Sequence, residues 1–137
     1  MVGQATLDTP ARNAATLREG YEAFAQGDLA GAMKQFDPGI KWHLLRPGPL
    51  GGDYVGTEQV QGFFKQLAAL SGGTFHMEVI DILTSGNGEA ADVRVIARRG
   101  DKTLDSHQVH LFQLRDERIV EVWQFVDDAT ANAEFWR

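Results

Sequence analysis

The sequence predicts an α+β domain in which about three N-terminal helices pack on one face of a strongly bent antiparallel sheet. Two observations carry that prediction. Apolar residues recur at helical spacing through the first half of the chain, and from Phe75 onward they alternate with polar ones. Three alternating stretches, residues 90–99, 102–114 and 119–126, are joined by the short turns Arg99-Gly100-Asp101 and Arg115-Asp116-Glu117-Arg118, the pattern of consecutive antiparallel hairpins.

Thr9 as cap and Pro10 at the first helical position open a helix with Ala14, Leu17, Tyr21 and Phe24 on one face, and Gly27 stops it. Residues 1–8 are expected to be a flexible lead. Asp28 caps a second helix with the stripe Leu29, Ala32, Met33 and Phe36, which Asp37-Pro38-Gly39 ends. Residues 40–45 form a short strand, with Ile40, Trp42 and Leu44 on one face and Lys41, His43 and Leu45 on the other. Proline and glycine density makes residues 46–53 a loop, long enough to serve as a rim or lid. Thr57 caps a third helix that turns Val60, Phe63, Phe64, Leu67 and Leu70 inward before Ser71-Gly72-Gly73. In the next strand Phe75, Met77 and Val79 share a face, but the parity switches at Ile80 and Ile82, which predicts a bulge near Val79. Ser85-Gly86-Asn87-Gly88 is a turn, and Asp127-Asp128 cap a short terminal helix or tail over residues 127–137.

A length of 137 residues suits one domain, and such a chain buries roughly 68% of its unfolded surface in a single core. Without cysteine there is no thiolate chemistry and no disulfide. The net charge of −6, with lysines and arginines scattered, gives no basic stripe for a phosphate backbone, so nucleic acid is not an expected partner. No run approaches the ~18 apolar residues of a membrane span, and residues 1–9 lack the basic start and apolar run of a signal peptide. A cytoplasmic protein is expected. No phosphate loop or nucleophile elbow is present, so neither nucleotide cofactors nor acyl-enzyme chemistry is expected. His107 and His110, three apart on a strand, point to opposite faces, so no metal site is expected.

The polar residues inside the strands are the candidate site. His110 shares a face with Phe112 and Leu114, and Gln124 lies between Val122 and Val126. Asp92 and Arg94 project together, opposite Ala91, Val93, Val95 and Ala97. That pattern admits two readings: an ion pair on a solvated face, or a carboxylate facing a pocket. His107 has the outward parity. Trp123 and Phe125 lie opposite Gln124, which would leave large aromatics on the outer sheet surface and predicts a homodimer through the sheet.

Several segments together resemble one family over residues 12–128. They are Tyr21-Glu22-Ala23-Phe24-Ala25-Gln26-Gly27-Asp28-Leu29, Phe36-Asp37-Pro38 leading to Trp42-His43, Gly56-Thr57-Glu58, and the closing hairpin from His110 to Trp123. The chain resembles the SnoaL-like branch of the nuclear transport factor 2-like, or ketosteroid isomerase-like, superfamily. The resemblance implies a cone-shaped, cystatin-like roll whose concave face holds a small apolar ligand. It places His43 where ketosteroid isomerases hold their proton-abstracting Asp, and His110 near their oxyanion-stabilising acid. Asp92 matches a catalytic Asp of limonene epoxide hydrolase-like proteins, and Tyr21 lies one place beyond the oxyanion Tyr.

The resulting expectation is a cofactor-free isomerase, cyclase or lyase acting on an apolar carbonyl compound, with Asp92, His43 and His110 as catalytic residues. Gln124, Arg94, Trp42, Tyr54, Phe112 and Val122 are expected to contact the substrate. A non-catalytic binding domain and an epoxide hydrolase-like enzyme are the alternatives, because fold does not fix activity.

Overall fold

The computed structural model describes residues 2–137, with side chains from Thr9 onward. The flexible lead expected over residues 1–8 falls outside the residues described with side chains. Helices α1 (Val2–Ala25), α2 (Leu29–Ala32) and α3 (Thr57–Leu70) pack on a six-stranded sheet, and α4 (Ala129–Trp136) closes one end. The strands are β1 (Phe36–Leu44), β2 (Gly52–Val55), β3 (His76–Thr84), β4 (Glu89–Arg99), β5 (Lys102–Arg115) and β6 (Arg118–Val126), in the order β2-β1-β6-β5-β4-β3. The α+β roll with a bent sheet is therefore the architecture, with one correction. β1 runs parallel to β6, so the sheet is mixed rather than wholly antiparallel.

Local chemistry explains most boundaries. α1 stops where Gly27 takes φ 76°, a left-handed conformation that costs glycine little. Asp28 accepts a hydrogen bond from the Gly31 N–H, and Asp128 from that of Ala131, so both act as N-caps. The expected bulge is present: pairing between β3 and β4 shifts register between Val79 and Asp81.

Other boundaries differ from the sequence reading. Pro10 lies inside α1 rather than at its start, since a Thr-Pro pair marks a first turn only when no helix precedes it. α2 is a single turn, and Phe36-Asp37-Pro38-Gly39 already belongs to β1. The parallel register with β6 skips from Phe36 to Lys41, so Pro38 owes the ladder no N–H. α3 is capped by Gly56, not Thr57, and Leu70 is exposed at its end. Residues 52 and 53, read as the end of a loop over 46–53, begin β2, which pairs along the outer edge of β1.

The core lies between the helices and the inner sheet face. It joins Leu17, Phe63, Phe64 and Leu67 from the helices to Ile40, Trp42, Val93, Val95, Phe112 and Val122 from the strands. Burying a side chain of this size contributes about 1.5–3 kcal/mol, so this face fixes the register of every strand that borders it.

Candidate functional site

The helices do not fill the concave side completely. They leave an apolar hollow of about 50 Å³, a few times the ~10–15 Å³ that one water needs. Its walls include Leu17, Tyr21 and Phe24 of α1, Phe63 and Phe64 of α3, and Trp42, Met77, His110, Phe112 and Gln124 of the sheet. Among the described residues no carboxylate lines it.

His110 is the central polar group. It is 1% exposed, surrounded by the rings of Tyr21, Trp42 and Phe112. Its Nδ1 lies 2.6 Å from the Tyr21 hydroxyl, while its buried Nε2 has no hydrogen-bond partner. Burial pushes the imidazole pKa down to about 4, so the ring is neutral at pH 7. Burial also pushes the Tyr21 phenol well above its usual range, which keeps it protonated.

Two tautomers are available to this pair, and the count of unmet groups separates them. If Nδ1–H donated to the phenol oxygen, both the Tyr21 O–H and the Nε2 lone pair would be left unmet. If Tyr21 donates to Nδ1, only the Nε2–H is unmet. Each unmet buried group costs about 1–3 kcal/mol, so the second arrangement is favoured and presents an N–H donor without a protein partner.

Gln124 sits directly across from His110 on the neighbouring strand. Its Oε1 accepts from the Trp42 Nε1–H at 2.9 Å, and its Nε2 donates to Gln108 Oε1 at 2.7 Å. From Gln108, whose Nε2 reaches Ser106 Oγ at 3.4 Å, the network runs toward the surface: Asn132 Nδ2 donates to Ser106 Oγ at 3.1 Å, and Ser106 Oγ donates to Oδ1 of the exposed Asp127 at 2.9 Å. Trp42 can only donate and Asp127 can only accept, so the ends of this network fix how each amide is turned.

The structure places the remaining expected site residues elsewhere. Asp92 is on the outer sheet face, bonded to the exposed His107, because Ala91, Val93 and Val95 take the inner positions of β4. Arg94 is also outside, paired with Asp105 at 2.6 Å and near Glu78 at 3.9 Å. His43 faces outward as well: Asp53 and Glu121 each lie 2.7 Å from one of its ring nitrogens, and it stacks on Trp123. Hydrogen bonding to Asp53 raises its pKa, burial opposes it, and the hydrogen bond to Glu121 and the charges of both carboxylates add to the rise. Tyr54 stacks on Phe63 and donates to the Leu50 carbonyl, and Val122 is buried in the core; neither lines the hollow. Trp42, Phe112, His110 and Gln124 do line it. Sequence reasoning passed over Tyr21 as a packing residue, although its helical face and its place one beyond the oxyanion Tyr position were the available signals.

A family profile described as a SnoaL-like domain matches residues 17–122. The chain belongs to the SnoaL-like domain family. The uncharacterized protein Rv0034 of Mycobacterium tuberculosis is 30% identical over 121 residues, covering 88% of this chain and 92% of that protein. Among solved structures, Bal32a, from a soil-derived mobile gene cassette, is 31% identical with a TM-score of 0.90 over 94% of this chain and 99% of its own. A protein of unknown function from Xanthomonas campestris, described as cystatin-like in fold, is 26% identical with a TM-score of 0.84, covering 90% and 97%. The SnoaL-like domain thus accounts for the fold, and these relatives bring no activity with them.

Proposed function

We propose that this SnoaL-like domain binds a small apolar carbonyl compound in its hollow and polarises the carbonyl through His110, as a cofactor-free isomerase, cyclase or lyase. The observation that carries this reading is the buried Nε2 of His110, which has no partner inside the protein. A carbonyl oxygen would supply the missing acceptor. As a neighbouring carbon loses its proton and negative charge moves onto that oxygen, the Nε2–H bond strengthens, and the Tyr21 hydroxyl holds the ring in the donating tautomer. Asp92 and His43 cannot act as the base from the outer face, so the proton goes to water or to a basic group of the substrate itself. The outer placement of Asp92 counts against the epoxide hydrolase-like reading, which needs it to activate water in the hollow.

The absence of a carboxylate among the described lining residues favours a second reading, binding without turnover. Proton exchange next to the carbonyl of small ketones, followed by NMR in deuterated water, separates the two. Turnover predicts exchange above the buffer rate that falls about 10²-fold in His110→Ala, the usual loss on removing such a donor. Exchange that is unchanged in His110→Ala would sink the catalytic reading, whereas saturable binding with no exchange would select the binder.

We also infer that two copies pair through the outer sheet face, where Phe125, Leu111 and Leu83 are exposed beside Trp123. Light scattering at micromolar concentration should return twice 15.1 kDa, and the single mass would count against pairing.

A further inference from the structure

The hollow adjoins a surface groove on one side. Tyr21 and Met77 line the hollow, and the same two residues line a surface groove of about 200 Å³ shared with Arg18, Glu22, Ala25 and Val79. The groove lies between α1 and β3. β3 is an edge strand of the sheet, and its register with β4 breaks between Val79 and Asp81, so one side of the groove is free of a second strand neighbour. Met77 is an unbranched side chain that can change rotamer at little cost.

Resting on the reading above, we propose that the ligand passes between Tyr21 and Met77 and is longer than the hollow. A small carbonyl-bearing head occupies the 50 Å³ beside His110, and an apolar tail without net charge lies in the larger groove. Three observations select this ligand class. The inner volume is a quarter of the outer one, the two spaces share two lining residues, and the groove carries one cation and one anion, Arg18 and Glu22, so its rim selects no net charge. Passage past Tyr21 also disturbs the hydrogen bond between Tyr21 and the His110 ring, so loading and the state of the imidazole are linked.

The test is an NMR titration of the straight-chain methyl ketones from butanone to nonanone, which keep one head and lengthen one tail. Each methylene that the groove covers should tighten binding about two- to fourfold. Ala25→Trp, which fills the groove from the end of α1, should abolish that gain. Glu22→Trp, at an exposed position of the same wall, serves if Ala25→Trp does not fold. Equal affinity across the wild-type series, or a chain-length gain that survives both tryptophans, would overturn the proposed tail site and leave the carbonyl reading standing. Failure of every ketone to bind would overturn both.

Discussion

His107 and His110 stand three residues apart on β5, and the sheet between them gives them opposite chemistry. His107 is outside, bonded to Asp92 in reach of water. His110 is inside, neutral, with one hydrogen bond and one bare nitrogen. The contrast extends over both faces. Outside, His43 lies between Asp53 and Glu121, and Arg94 between Asp105 and Glu78, so both of these groups have carboxylate partners. Inside, around the hollow, Trp42, Gln124, Gln108, Ser106 and Asn132 are neutral and joined by oriented hydrogen bonds, while the His110 Nε2 has no partner among the described residues. Residue type therefore says little about role in this protein. Which face a strand position takes decides whether a group is neutralised by a neighbour or kept available for a ligand.

The largest expected effect tests the inner face. An unfolded histidine takes up a proton near pH 6.5, whereas folded His110 resists it down to about pH 4. The folded pKa is depressed, so the unfolded state binds more protons between those values. Stability is complete above about pH 6.5 and falls as pH drops toward 4, by roughly 3 kcal/mol for this one group. Urea unfolding of wild type and His110→Leu at pH 7 and pH 4 should show the variant losing less on acidification by about that amount. Equal losses would mean that the imidazole is hydrated, and the difference between the faces would disappear.

A smaller effect is expected one step along the network. Gln108→Leu removes the acceptor for the Gln124 amide and leaves a buried N–H unmet, which costs about 1–3 kcal/mol. It also frees Gln124 to turn, so the Trp42 indole loses its fixed acceptor, and the indole N–H resonance should broaden or shift. A sharp, unmoved resonance would show that Gln124 is held by packing rather than by the chain of amides.

Much of this fold is legible in the sequence because period-two alternation is strict where one sheet face is buried. β4, β5 and β6, their turns and the bulge near Val79 follow from that alone. The same parity puts His110 and Gln124 inside. It also set Asp92 opposite Ala91, Val93 and Val95, and those apolar neighbours were the better guide than the matching of Asp92 to a catalytic position in a related enzyme. The parallel partner of β1 was not legible, since the chain between Leu44 and Arg118 gives no sign of which edge β1 joins. Nor was the Tyr21–His110 bond, which links residues 89 positions apart and depends on how α1 seats over β5. Local pattern fixes faces, and contacts across the core need the packed helices.

The smallest expected effect concerns the outer face. His43 has a raised pKa because Asp53 and Glu121 bind its ring nitrogens. A raised folded pKa contributes stability that is fully present below the unfolded value near pH 6.5 and is lost as pH rises through the folded value. Because these groups are reached by solvent, the contribution is discounted to the ~0.2–1 kcal/mol of a surface pair. His43→Gln should therefore be slightly less stable than wild type at pH 5.5 and equal to it at pH 9, with added salt shrinking the difference at the lower pH. Ketone binding should be the same in both proteins at both values. A change in binding would mean that the edge hairpin of β1 and β2 carries the state of His43 through the sheet to Trp42, and the two faces would no longer be independent.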